Sequence, residues 1–346
     1  KDLYELFIDI IREVRIKFDI DLTADAKIAV GLAMHLRALI HRTTANLVSP
    51  NPYTSDIKNK YPLAYDCAVY IVYRIQQSYP GDIQEDEIAY LAIHIGALVH
   101  HQRISQGLLK VTFVVPAYYN LSDDLFSYYS EEFKQYISAV KIPDFDDACM
   151  HENTDLVITT TKITAALDCP VLEISPFKNE EDRRRIYNAI EKLRQAKKGK
   201  FMQRLLKTAL NDQHIFINDI GLTTRKEVLD FMIDKLLKDK VVDEDYSRRV
   251  SIRGRLSTVA NASYAIARPV DYLENDTTIS IFISQTPIRW NKNNVRIIFL
   301  LTGNRERQRH PLNLMEFLTA KVQEKGFVKQ ALNCKNAIDF YRLLVG

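Results

Sequence analysis

Glycine is scarce in this chain, at 10 of 346 residues, and proline is little commoner at 11. That poverty excludes a collagen-like or low-complexity polymer. Long hydrophobic runs are missing too; none approaches the roughly 18 residues of a membrane span. The opening KDLYELF has no charged-then-apolar signal segment, and its lack of a starting Met predicts a piece of a longer chain. Charge of one sign is also lacking. The 47 Lys+Arg against 44 Asp+Glu leave +3, too little for a polybasic nucleic-acid coat. Cysteine is limited to Cys67, Cys149, Cys169 and Cys334, with no CxxC pair. So dispersed a set excludes a metal or disulfide framework. It predicts reduced, mostly buried thiols in a cytoplasmic protein. No metal and no cofactor is expected.

What is present is ordinary for a globular protein: 47% hydrophobic and 26% charged residues, in a length that suits two or three domains. The rhythm changes twice along the chain. Residues 1–105 read as helix throughout. Leu3, Leu6, Phe7, Ile10, Ile11 and Val14 recur at helical spacing. A second helix, with Thr23 as its candidate cap, runs through VGLAMHLRALIHR. Further helices cover YDCAVYIVYRIQQSY and EDEIAYLAIHIGALVHH. This predicts an all-α helical bundle.

Residues 108–198 carry short β-branched runs, LLKVTFVVP, ISAVKI, TDLVITTT and PVLEIS, between helical stretches. Strands alternating with helices predict a small parallel α/β sheet. After a linker at Lys197–Lys200, residues 201–346 mix helices (TRKEVLDFMIDKLLKD, PLNLMEFLTAKVQEK) with strands (TISIFISQ, VRIIFLL). That part reads as a second α/β or α+β domain, so the whole is multidomain. It also holds the positive excess, with 23 Lys+Arg against 16 Asp+Glu. Arg183–Arg185 follow Glu180, Glu181 and Asp182 and read as a solvated helix start.

Three stretches in the first part carry a resemblance: GLAMHLRALIHR (31–42), NPYTSDIKNKYP (51–62) and DEIAYLAIHIG (86–96). They resemble the PTS regulation domain (PRD) of sugar-operon antiterminators and activators, the BglG/mannitol-activator type. The resemblance implies regulatory phosphorylation of His35 and His94 by the sugar phosphotransferase system. The residues themselves are compatible with this. His35 and Arg42 lie seven apart on one helix face, and Glu87, Tyr90 and His94 share another. A neutral imidazole is nucleophilic near neutral pH. Read without the motifs, each histidine is more often a satisfied core or interface residue.

The second part resembles the IIB-like domain of mannitol-type activators through VTFVVP, DLVITTT and PVLEISPF. In the family a cysteine ends the first strand, before a phosphate-cradling loop. Here Pro116 takes that position, followed by Tyr118 and Tyr119. Proline has neither a nucleophile nor an N–H for phosphate oxygens. The third part resembles the IIA domain of the fructose/mannitol class through NDQHIFINDIGLTTRKEVLDFMIDKLL, YAIARP, ISQTPIRW and VRIIFLLT. The family's acceptor histidine is replaced by Arg268, which has no lone pair for attack. Arg253 is followed by Gly254 where the family usually has an acid. Both phosphoacceptor positions, Pro116 and Arg268, are therefore expected to be lost. Arg268 could hold an anion or a phosphorylated partner, or close an ion pair within a relict pocket.

These resemblances imply a regulator, not an enzyme: the regulatory part of a transcriptional activator or antiterminator in which phosphorylation shifts a dimer arrangement. They imply a homodimer, a donor that is a phosphocarrier protein or IIB component, and DNA contact through N-terminal domains outside this fragment, with no membrane insertion. A virulence-type regulator without phosphate control is one alternative. A phosphotransfer component of a sugar transporter is another, which Pro116 and Arg268 disfavour.

Overall fold

Apolar residues one helical turn apart build the first element, α1 (Leu3–Phe18), which buries Leu6, Ile10, Val14 and Phe18. The computed structural model describes all residues except 1–2, 46, 48, 80, 107, 117–120, 145–153, 218–220, 261–262, 305–308 and 346, and only the backbone of 100–106 and 309–310. After α1 come α2 (Ala26–Thr44), α3 (Thr54–Lys60), α4 (Pro62–Gln76) and α5 (Glu85–Gln106). Thr23 is not the cap of α2. Its hydroxyl is committed to Asp21 at 2.6 Å, and Asp25 accepts from the Lys27 and Ile28 amides instead. Helix α4 lies at the centre, with eleven of its fifteen residues buried. Arg74 on α4 clamps Glu13 of α1 through Nε at 2.6 Å and Nη2 at 2.9 Å.

Two compact units emerge: Lys1–Val99 with Met202–Gly346, and His100–Phe201. The second unit holds β1 (Leu109–Val114), α6 (Leu121–Glu132), β2 (Ile137–Ile142), β3 (Leu156–Thr159), β4 (Val171–Glu173) and the start of α7 (Glu180–Ala209). Its sheet has the order β2-β1-β3-β4 and is parallel throughout. Helix α7 runs unbroken through Lys197–Lys200, so the segment next to the junction of the two units, after Phe201, is helical. Gly199 costs the helix about 1 kcal/mol relative to Ala, and the strong helix formers around it absorb that cost. At its start Arg183 pairs with Glu180 and Arg185 with Asp182, at 2.8 and 2.7 Å.

The first unit adds a mixed sheet to the bundle. Its strands are β5 (Leu210–Ile217), β6 (Val259–Ala260), β7 (Tyr264–Ala267), β8 (Ile279–Trp290) and β9 (Asn293–Leu301), in the order β5-β8-β9-β7-β6. Side chains alternate between its faces. Ile281, Ile283, Ile297 and Phe299 join a core that runs on into the bundle. Ala265, Phe282, Ile298 and Leu300 pack instead with α8 (Arg225–Lys238) and α9 (Tyr246–Leu256). The chain ends in α10 (Arg309–Gln323), α11 (Phe327–Leu332) and α12 (Ala337–Val345). The result is multidomain: helical bundle, parallel α/β sheet and mixed α/β sheet. Among the described residues no helix is long and apolar enough to cross a membrane. Of the described cysteines, Cys67 is buried, while Cys169 and Cys334 are half-buried; Cys149 lies outside the described residues.

Helix α8 opens on a reciprocal capping box between Thr224 and Glu227. Thr224→Ala is expected to lower stability by roughly 0.5–2 kcal/mol, read as a shifted urea midpoint at constant slope.

Candidate functional site

Helix α2 buries Leu32, Leu36 and Leu39, which turns His35 and Arg42 onto the flank facing α5. There Glu87 stands between them. Arg42 grips its carboxylate in a two-pronged fork, Nε to Oε1 at 2.6 Å and Nη2 to Oε2 at 2.7 Å. His35 Nε2 lies 3.6 Å from Glu87 Oε2, just beyond hydrogen-bond reach, and this buried nitrogen has no hydrogen-bond partner. The ring of His94 lies 5.3 Å from that of His35, centre to centre. Tyr90 lies 6.2 Å from His35 and donates its hydroxyl to the Pro50 carbonyl at 3.0 Å. All five residues singled out in the bundle therefore converge.

Electrostatics favours the nucleophilic form of His94. Burial works against the charged form of Glu87, but the contacts from His35 and Arg42 outweigh it and hold the carboxyl down at about 2. Burial and the neighbouring His35 ring push His94 below the ordinary imidazole value, so the neutral, attacking form dominates at neutral pH. Neither ring is sealed: the His35 side chain is 16% exposed, and His94 is half-buried. Val30, Met34 and Ile93 are exposed on the same two helices.

The two positions where an acceptor is expected to be lost lie elsewhere. Pro116 is half-buried two residues past the end of β1. The tyrosines after it lie outside the described residues. Arg268 directly follows β7 and is 3% exposed. Of the two uses expected for it, the structure has the ion pair, but the acid comes from the bundle. Arg268 Nε donates to Asp66 Oδ2 at 2.8 Å, and its Nη2 to Asp66 Oδ1. Arg253 Nη2 donates to the same Oδ1 at 2.8 Å. Burial would raise the Asp66 carboxyl, yet the two guanidiniums hold it below the ordinary range.

Around this cluster Ser257 donates its hydroxyl to Glu85 Oε1, which also takes Lys58 Nζ at 2.6 Å and the Tyr65 hydroxyl at 3.0 Å. At Gly254 the guanidinium of Arg225 lies where a Cβ would stand, so a larger residue there requires this flexible side chain to swing aside. The cavity beside Arg253 and Arg268 measures about 10 Å³, one water at most and no phosphoryl group. Asp66, Ser257 and Arg225 escaped the sequence reading. The available signal was a lone carboxylate in the apolar run YDCAVYIVY, since an acid there demands a buried cation.

Comparisons with known proteins agree with the motifs. Residues 8–98 match the PRD domain family. Residues 208–345 match the family described as phosphoenolpyruvate-dependent sugar phosphotransferase system, EIIA 2. The "Probable licABCH operon regulator" of Bacillus subtilis (strain 168) is 23% identical over 335 residues, which cover 96% of this chain and 51% of that protein. "Transcriptional regulator ManR" of the same strain is 24% identical over 327 residues, covering 92% and 50%. The chain thus spans about half the length of these curated relatives. A solved structure of nitrogen regulatory protein IIA-Ntr from Neisseria meningitidis aligns with a TM-score of 0.35 at 14% identity, covering 42% of this chain and 99% of that one. The chain carries a PRD followed by an EIIA 2 domain, and its relatives are transcriptional regulators.

Proposed function

We propose that this chain is the regulatory part of a bacterial transcriptional activator or antiterminator controlled by the sugar phosphotransferase system. His35 and His94 receive the phosphoryl groups. The observation that carries the reading is the pairing of the two imidazoles inside the PRD, with ring centres 5.3 Å apart and the His35 Nε2 3.6 Å from Glu87, neither ring fully closed to solvent. A neutral ring nitrogen attacks the phosphorus of a phosphorylated carrier protein or IIB component. The donor's bond to phosphorus breaks as the new N–P bond forms, and the proton on the other ring nitrogen stays in place. The chain is a recipient and not a courier, because Pro116 and Arg268 stand where the acceptors of the two downstream folds belong.

Physical chemistry supplies the output. A phosphoryl group brings about −1.5 to −2 charges. At 4 Å from the Glu87 carboxylate, each unit of that charge meets a repulsion of about 4 kcal/mol at an effective dielectric of 20. Arg42 is the cation placed to change partners. The resulting shift is read by a homodimer, in which Val30, Met34 and Ile93 are exposed beside the pair. In this reading the division is 1–105 PRD, 108–198 IIB-like and 201–346 IIA-like. DNA is contacted by domains outside these residues, in the cytoplasm.

The chain is incubated with phosphoenolpyruvate, enzyme I and phosphocarrier protein, and phosphopeptides are mapped without acid steps. Label is expected in residues 26–44 and 85–98, lost in His35→Ala with His94→Ala, and absent from 108–198 and 208–345. Label on either sheet domain would overturn the assignment.

A further inference from the structure

We propose that the former phosphoryl pocket of the EIIA 2 domain works as a carboxylate receptor for the PRD of the same chain, with Asp66 as its ligand, and that the first turn of α5 ties this dock to the His35–His94 pair. The second half rests on the reading of His35 as the place where charge is added.

Three observations on the receptor agree. First, its chemistry selects an oxyanion: three N–H donors from two guanidinium forks converge on one carboxylate. Second, the anion is obligatory. Arg253, Arg268 and Asp66 are 4%, 3% and 7% exposed, so two buried cations share one anion; without it Arg253 still has the Ser257 carbonyl, but the Asp66 charge no longer offsets the repulsion between the two guanidiniums. Third, the site is closed. The cavity of about 10 Å³ beside the arginines leaves no entry for a phosphorylated side chain of another protein. The face that a phosphate-carrying relative would offer to its partner is thus spent on this chain's own bundle. Lys17 and Asp271 add a further ion pair between the two domains at 2.5 Å.

The tie to the histidines runs through two carboxylates on one helical turn. Glu85, at the start of α5, accepts from Ser257 of the EIIA 2 domain and from Lys58 and Tyr65. Tyr65 is the neighbour of Asp66, and its hydroxyl lies 3.2 Å from Ser257 Oγ. Two residues beyond Glu85, Glu87 is held by Arg42 and faces His35. Between them Asp86 accepts from Thr54 at 2.5 Å. All three acids of this turn are engaged, so pushing Glu87 away from a new negative charge moves the backbone that carries Glu85.

Amide hydrogen exchange on the full 346-residue chain tests both halves. Asp66→Asn keeps the shape and removes the charge. It is expected to raise exchange severalfold in residues 249–256 and 264–272 while 280–300, the middle of the sheet, stays protected. Arg268→Met gives the same pattern if the asparagine variant is poorly soluble. His35→Asp, which adds charge without any donor, is expected to raise exchange at 249–258, and His35→Ala is not. Native exchange at 249–272 in both dock variants overturns the receptor. An effect of His35→Asp confined to 26–44 and 85–98 overturns the tie. A chain that takes no phosphate on His35 removes only the earlier reading, because the aspartate arm needs no phosphorylation.

Discussion

Asp66→Ala is expected to destabilise the first unit by about 3–5 kcal/mol, the cost of breaking a buried ion pair by deleting one partner. Arg268→Ala is expected to cost less, although it removes more atoms. The reason is the charge count. Deleting Arg268 leaves Asp66 bonded to Arg253 at 2.8 Å, a neutral buried pair beside a hole. Deleting Asp66 leaves two guanidiniums, both under 5% exposed, with no anion between them. Packing alone predicts the opposite order, because the cavity left by an arginine is the larger. For a unit of this size, 3–5 kcal/mol corresponds to a fall in Tm of roughly 6–20 °C. Thermal and urea unfolding of the two variants decide the matter. An alanine at 268 that proves as damaging as one at 66 would show that volume governs here and not charge.

Local pattern explains why some of this was legible in the sequence. Periodic apolar residues marked α1, α2, α4 and α5, and dense β-branched runs marked β1, β2 and β3, because burial against one face leaves its period in neighbouring residues. The histidines were named by the family resemblance; helical spacing added only that Arg42 shares a face with His35, and Glu87 and Tyr90 one with His94, each within a single element. Asp66 was not legible. Its partners Arg253 and Arg268 lie 187 and 202 residues away, and no short-range period reports a contact of that reach. The same blindness hid the meaning of Arg268. Its identity argued against phosphate transfer, but whether the guanidinium met solvent, an anion or another domain depended on packing alone. Lys197–Lys200 reads as a linker, and the junction of the two units does lie just past it, after Phe201; what the composition did not show is that the helix formers on either side carry α7 straight through it. The Thr23 cap was a near miss: Asp21 takes the Thr23 hydroxyl, and Asp25, two residues on, takes the first amides of α2.

Acid is expected to unfold the PRD through Glu87. Its carboxyl is held at about 2 against an ordinary value of 4.5. Between those values the unfolded chain binds a proton that the folded chain refuses, so stability falls with pH. The contribution is full above pH 4.5 and is lost progressively as pH falls toward 2. A depression of that size corresponds to about 3 kcal/mol. Asp66 and Glu85 are also lowered and add to the slope in the same direction. Glu87→Gln isolates the term. It is expected to be less stable at pH 7, because Arg42 loses its charged partner, and to approach the native protein as the pH drops, because its own stability no longer depends on that proton. Tm measured at half-unit steps from pH 6 to pH 2.5 reads both lines. Parallel curves, with the glutamine variant lower by a constant amount throughout, would mean that Glu87 releases its proton as easily in the unfolded chain as in the fold. The fork from Arg42 would then hold shape and not charge, and the repulsion assigned to a phosphoryl group on His35 would have no fixed anion to act against.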